Sequence, residues 1–209
     1  DFLSRGLPAS FADPWHAWLV RGIAAARQEL AERFEPAYMA APVWRFVLPP
    51  GACGPSPAAG VVLPSVDAVG RLFPLTLAVA SPSLGPPLAL AAALPWFQAL
   101  EEAGRDALAS DPEVEAWLAR LAAIPPPAAA AQPPRCAHVP LQGDAAAPDA
   151  AVQPALAGLG AERAVLFWCE GSPFVGACAL VAPGLPDGVC FSRLLSDPVP
   201  PPAPLESAS

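Results

Sequence analysis

Trp15, Trp18, Leu19, Gly22, Ile23, Ala26, Leu30 and Phe34 follow one another at three- and four-residue steps. That spacing predicts an amphipathic helix of about six turns with one apolar stripe facing a core. Arg21, Glu29 and Glu32 fall off the stripe. Asp13-Pro14 predicts the start, because aspartate caps free amides and proline suits a first turn. Glu35-Pro36 predicts the end, since the residue before proline is pushed out of the helical region.

The period then changes to two. Val43 to Leu48 predicts a strand with Trp44, Phe46 and Leu48 on one face and Val43, Arg45 and Val47 on the other. Both faces are mostly apolar, so both are expected to be buried. Pro49 to Ala59 is a Gly/Pro loop. Ala59 to Asp67 predicts the next strand, with Ser65 and Asp67 on the face of Val61 and Leu63, and Pro64 marking an edge or bulge. Val69-Gly70-Arg71 turns the chain, and Leu72 to Ala80 returns as a third strand. Connections this short imply an antiparallel meander.

Two helices are expected next. Pro95 opens one that runs to about Ala109, with Trp96, Phe97, Leu100 and Leu108 inward. Asp111-Pro112 caps another, carrying Val114, Trp117, Leu118 and Leu121. Residues 1–124 thus form a main α/β domain. Residues 125–163 are Pro/Ala-rich and poor in aromatics, which predicts a linker or insertion, with a short helical turn near Val152 to Leu159. Residues 164–197 add strands at Ala164 to Cys169 and Gly176 to Ala182 and a short helix at Phe191 to Leu195, completing the same domain. Residues 198–209 read as a disordered tail. About five strands with flanking helices make an α/β fold with a mostly antiparallel or mixed sheet.

Composition narrows the function. The chain has 209 residues, a formal net charge of −8 and only 14% charged residues. All eleven basic residues are arginine, and they are scattered. Such a chain lacks the electrostatic footprint of a nucleic-acid binder and the polybasic patch that anionic lipid attracts. Mean hydropathy is +0.41, yet Pro82, Pro86, Pro87 and Pro95 interrupt the greasiest window, so no membrane insertion is expected. Nothing at the start resembles a secretory signal. The opening Asp1 suggests a chain that begins inside its domain. Five cysteines, without a Cys-x-x-Cys pair, read as buried reduced thiols.

Chemistry is sparse. The two histidines are His16, in the first turn of the Trp-rich helix, and His138, in the Pro/Ala segment. A triad would have to bring His16 towards Ser65 and Asp67, and no Gly-x-Ser-x-Gly elbow accompanies them. No phosphate-binding loop is present, and no cofactor or metal is expected. Glu101-Glu102, Glu113 and Glu115 read as solvated helix positions. Arg45, Ser65, Asp67 and Arg71 are the polar residues that packing alone does not explain. Arg45 and Asp67 are placed to meet across neighbouring strands, either as a self-satisfied pair or as part of a partner-docking cluster anchored by Trp44 and Phe73.

These stretches also resemble a known family. Asp1-Phe-Leu-Ser-Arg-Gly-Leu-Pro, Asp13-Pro-Trp-His-Ala-Trp-Leu, Pro42-Val-Trp-Arg-Phe and Gly60-Val-Val-Leu-Pro-Ser-Val-Asp-Ala-Val-Gly-Arg-Leu-Phe-Pro-Leu are similar to the TagF (ImpM) family of type VI secretion accessory proteins. Phe167-Trp168-Cys169-Glu170-Gly171 fits more loosely. The resemblance implies an α/β sandwich whose sheet is flanked by helices. It implies a cytoplasmic, post-translational regulator, a repressor of secretion-system assembly that binds a forkhead-associated scaffold protein. The family has no established catalytic residues. Its usual opening, an aromatic-Gly-Lys-Leu-Pro strand, is expected ahead of Asp1. The sites expected to bind a partner are Trp44, Arg45, Ser65, Asp67, Arg71 and Phe73. A hydrolase using Ser65 with Asp67 or His16, and a structural subunit of the apparatus, remain as alternatives.

Overall fold

A computed structural model describes residues 5–67, 69–85, 90–110, 113–127, 139–140 and 163–197. Helices α1 (Ala9–Leu30) and α2 (Phe34–Met39) are joined by a 3-10 turn, Ala31–Arg33. Strands β1 (Trp44–Leu48), β2 (Ala58–Leu63) and β3 (Leu75–Ala80) follow, then helices α3 (Leu94–Ser110) and α4 (Val114–Ala122). Strands β4 (Val139–Pro140), β5 (Val165–Cys169) and β6 (Cys178–Ala182) and the short helix α5 (Gly188–Ser192) complete the described chain. One six-stranded sheet has the order β3-β2-β1-β5-β6-β4, and its pairings are antiparallel.

The sheet is covered on both faces. Trp44, Phe46, Leu48, Val62 and Phe167 point to α1 and α5, where Phe11, Trp15, Trp18 and Phe191 meet them. Val47, Val61, Leu77, Leu166 and Trp168 point to α3 and pack on Phe97 and Leu100. This is a three-layer α/β/α sandwich. The alternation expected within β1 holds, and both its faces are buried. The aromatic stripe of α1 is buried as its spacing predicts, from Trp15 to Ala26. Among the described residues no helix is long and apolar enough to cross a membrane.

Several boundaries differ from expectation, each for a local reason. Helix α1 begins at Ala9, one turn before Asp13, and Pro14 lies inside it. Proline offers no N–H to the carbonyl four residues back. That carbonyl belongs to Ser10 and faces the loop after β1, where a Cβ on Gly54 would collide with it. Gly54 also has φ +111°, so the loop docks there only with glycine. At the other end, Ala31 takes φ +47°, ending α1 before Pro36, which sits within α2. Strand β2 stops at Leu63, ahead of Pro64, instead of running to Asp67. Strand β3 starts at Leu75, not Leu72.

Leu108, expected inward, is exposed, and so is Val114 on the next helix. Asp111-Pro112 lies outside the described residues, and Glu113 is the cap observed on α4, its carboxylate accepting from Ala116 N–H at 3.2 Å. Within the Pro/Ala-rich segment, Val139–Pro140 adds an edge strand against Cys178 and Ala179 of β6. Its remainder from 128 to 162, including the expected turn near Val152, and the tail 198–209 lie outside the described residues.

The largest correction concerns Arg45. It is 2% exposed and faces α3, not the Pro64–Pro74 loop. Its Nε donates to Glu101 Oε1 of α3 at 2.5 Å, and its Nη2 donates to Glu170 Oε1 just beyond β5 at 2.7 Å. Arg105 reaches the second Glu101 oxygen at 3.1 Å. Arg45 pairs in register with Val61, six positions before Asp67, so Asp67 is out of its reach. Glu101, read from sequence as solvated, is 5% exposed and belongs to this clamp.

Removing one partner of such a pair leaves an uncompensated buried charge. We expect Arg45→Ala to cost about 3–5 kcal/mol in denaturant unfolding. The double change Arg45→Met/Glu101→Leu should recover most of that loss. A double variant no more stable than Arg45→Ala would refute this account of the clamp.

Candidate functional site

Between β2 and β3 the chain leaves the sheet at Pro64 and returns at Pro74. One isolated bridge, Val66 with Leu72, keeps the two arms of this excursion together. Phe73 N–H donates to Ser65 O at 3.1 Å, and Asp67 N–H donates to Arg71 O at 3.0 Å. Gly70 N–H closes a turn on Asp67 O at 2.9 Å, and Gly70 takes φ +81°, which favours glycine.

Asp67 clips the tip from inside. Its Oδ1 accepts from Val69 N–H at 3.0 Å and from Arg71 N–H at 2.8 Å, while Oδ2 receives Arg71 Nε at 2.6 Å. This is an Asx-type closure, in which a short carboxylate satisfies turn amides that no strand partner reaches. The Arg71 amide, followed by the Arg71 side chain and the Val69 amide, holds the Asp67 carboxyl below the usual carboxylate range. The clip is therefore complete above that range and is lost only as pH falls through the lowered value.

The base of the loop is tied to the core. Tyr38 Oη donates to Ser65 O at 2.9 Å and accepts from Ser65 N–H at 3.2 Å. Phe73 is partly buried, with its ring centroid 5.3 Å from that of His16 on α1. What remains outermost is apolar and cationic. Val69 is 75% exposed and Val66 41%, and the Arg71 side chain is 56% exposed beside its carboxylate.

The six residues expected at the site thus separate. Ser65, Asp67, Arg71 and Phe73 share the loop. Trp44 is 4% exposed, and its Nε1 donates to Leu194 O at 2.8 Å; it anchors the fold, as Arg45 does. Sequence reasoning missed Tyr38, Val66 and Val69. The Asp-Ala-Val-Gly-Arg tip carried a signal for Val69, since an apolar residue in a turn this short has no core to enter.

Ser65 is held through its backbone by Tyr38, and Asp67 is engaged by Arg71 and two amides. The crevice beneath the loop is walled by side chains such as Trp18, Tyr38, Trp44, Pro64, Pro74 and Leu194, and its lining includes no histidine or carboxylate. Among the described residues no three His, Cys, Asp or Glu side chains gather as a metal cluster.

Burial raises the Tyr38 phenol from 10.0 to about 12. The unfolded phenol ionises first as pH rises, so the contribution of Tyr38 to stability is intact below pH 10.0 and is lost towards about 12. Tyr38→Phe should cost about 1 kcal/mol at neutral pH through the lost hydrogen bonds. It should also flatten the decline in stability across that alkaline window. Unfolding curves of both proteins at a series of pH values test this, and identical slopes would count against a clamped, neutral phenol.

Comparison with known proteins adds two findings. Residues 1–124 match the TagF N-terminal domain, described as type VI secretion system-associated. The crystal structure of PA0076 from Pseudomonas aeruginosa PAO1 is similar, with TM-score 0.75 and 35% sequence identity over 96% of this chain and 92% of that one. Among curated proteins no match is found.

Proposed function

Because the chain belongs to the TagF family of type VI secretion system-associated proteins, we propose that it acts by docking a protein through the Pro64–Pro74 loop. In this reading it is a cytoplasmic accessory protein that represses assembly of the secretion apparatus after translation. Its partner is a forkhead-associated scaffold protein. The observation that carries the reading is the clipped loop itself. Asp67, Gly70 and Tyr38 hold a rigid tip whose outermost side chains are Val69 and Arg71.

Exposed apolar and arginine side chains on a preordered loop bind at low entropic cost. Arg71 already meets one carboxylate oxygen, and its exposed face remains able to meet a partner's acidic or polar groups. Phe73 and Ser65 support the tip from below. Asp67 serves by closing the turn.

Pull-down and calorimetry with the scaffold protein test this. Val69→Asp should weaken binding at least tenfold, with the thermal midpoint shifted little, because Val69 buries almost nothing in the free protein. Arg71→Ala should weaken binding as well, with some loss of loop order. Undiminished binding by the folded Val69→Asp protein would remove the loop from the interface. Co-sedimentation with assembled apparatus, without affinity for the free scaffold, would favour a structural subunit. Labelling of Ser65 by a serine-reactive probe would favour a hydrolase.

A further inference from the structure

Cys169 closes β5, Cys178 opens β6, and the two are direct register partners. Directly opposed residues of an antiparallel ladder hold their Cα atoms about 4.5–5.5 Å apart, with side chains on one face. Disulfides span Cα separations of about 4.4–6.8 Å. Both side chains lie on the α1 face, in the same core cluster, at 1% and 6% exposure. Neither is bridged.

The two thiols influence each other and are unequal. Interaction with the Cys178 side chain draws the Cys169 thiol below its ordinary range; the amides of Cys178 and Gly171 act in the same direction, against burial and the Asp197 carboxylate. Cys178 is pushed up, first by that interaction and then by burial. A sulfur biased towards thiolate beside a protonated one is the arrangement of an attacking and a resolving cysteine. Cys53 differs, since burial alone raises its thiol to about 11.

The pair lies where the sheet gives way to a loop. The Cys169 S–H donates to Gly176 O at 3.9 Å, and Gly176 N–H donates to Asp197 Oδ2 at 2.8 Å. A local opening of this strand end would expose both sulfurs to a small solute without disturbing the middle of the sheet.

We propose that Cys169 and Cys178 form a dithiol site that hydrogen peroxide oxidises reversibly to a cross-strand disulfide. The Cys169 thiolate attacks one peroxide oxygen. The O–O bond breaks, the departing hydroxide takes a proton to become water, and Cys169 becomes a sulfenic acid. Cys178 gives up its proton and attacks the Cys169 sulfur. The S–S bond forms, the S–O bond breaks, and a second water leaves. Two electrons pass from the thiol pair to the peroxide. Burial selects an oxidant of about the size of water and excludes bulky disulfides. The bridge staples the end of β5, from which Glu170 reaches Arg45, to the start of β6.

The test uses the full chain, reduced, exposed to hydrogen peroxide, denatured, alkylated with N-ethylmaleimide and mapped by mass spectrometry. The expected product is a peptide pair joined through Cys169 and Cys178, released by dithiothreitol. In Cys178→Ala, the sulfenic acid should persist on Cys169 and react with dimedone. Full alkylation of both cysteines at peroxide exposures that oxidise the exposed Cys190 would overturn the proposal. A bridge from either cysteine to Cys190 or Cys136 would overturn it too. If Cys178→Ala does not fold, the peptide map of the unaltered chain still decides.

Discussion

A buried guanidinium between two carboxylates holds the layers in register. Arg45 sits in the central part of the sheet, on a strand with no exposed position. Its charge is offset from one side by Glu101 on α3 and from the other by Glu170 at the end of β5. The three residues belong to segments far apart in the chain. Their pairing sets where α3 lies along the sheet and ties the main α/β segment to the C-terminal strands. An apolar residue at this position would fill volume without demanding one alignment. A charge in low dielectric demands its partners, because the cost of leaving it unpaired is several kcal/mol.

With the layers so aligned, the β2–β3 connection is free to leave the sheet. Its rigidity comes from elsewhere. Tyr38 holds the base through the Ser65 backbone, and the Asp67 carboxylate replaces the strand partner that the tip lacks. Val69 stays outside because the turn is too short to fold its side chain back onto the core. A loop built this way presents a fixed shape.

The C-terminal strands give the sheet its width. β5 pairs with β1 across more than a hundred residues, and β6 with β4 extends the sheet further. The match to the TagF N-terminal domain ends at residue 124, whereas the likeness to the Pseudomonas aeruginosa structure spans nearly the whole chain. The sheet itself depends on the later strands: β1 without β5 would leave the Arg45 clamp lacking Glu170 and one side of the core open. The apposed Cys169 and Cys178 close that same hairpin.

Much of this architecture is written in local pattern. The three-to-four-residue spacing from Trp15 to Ala26 specified a helix and its buried face, and the alternation in Trp44 to Leu48 specified a strand buried on both sides. Gly70 marked a turn through its own backbone preference. Sequence by itself also grouped Ser65, Asp67, Arg71 and Phe73, since they are neighbours along the chain. Only tertiary structure decided the partners of Arg45, the interior place of Trp44 and the burial of Glu101. A helix position one turn from an exposed one looks the same until a strand packs against it. Charge pairing across distant segments depends on how layers stack, and stacking is a property of the assembled core, not of any stretch of residues within it.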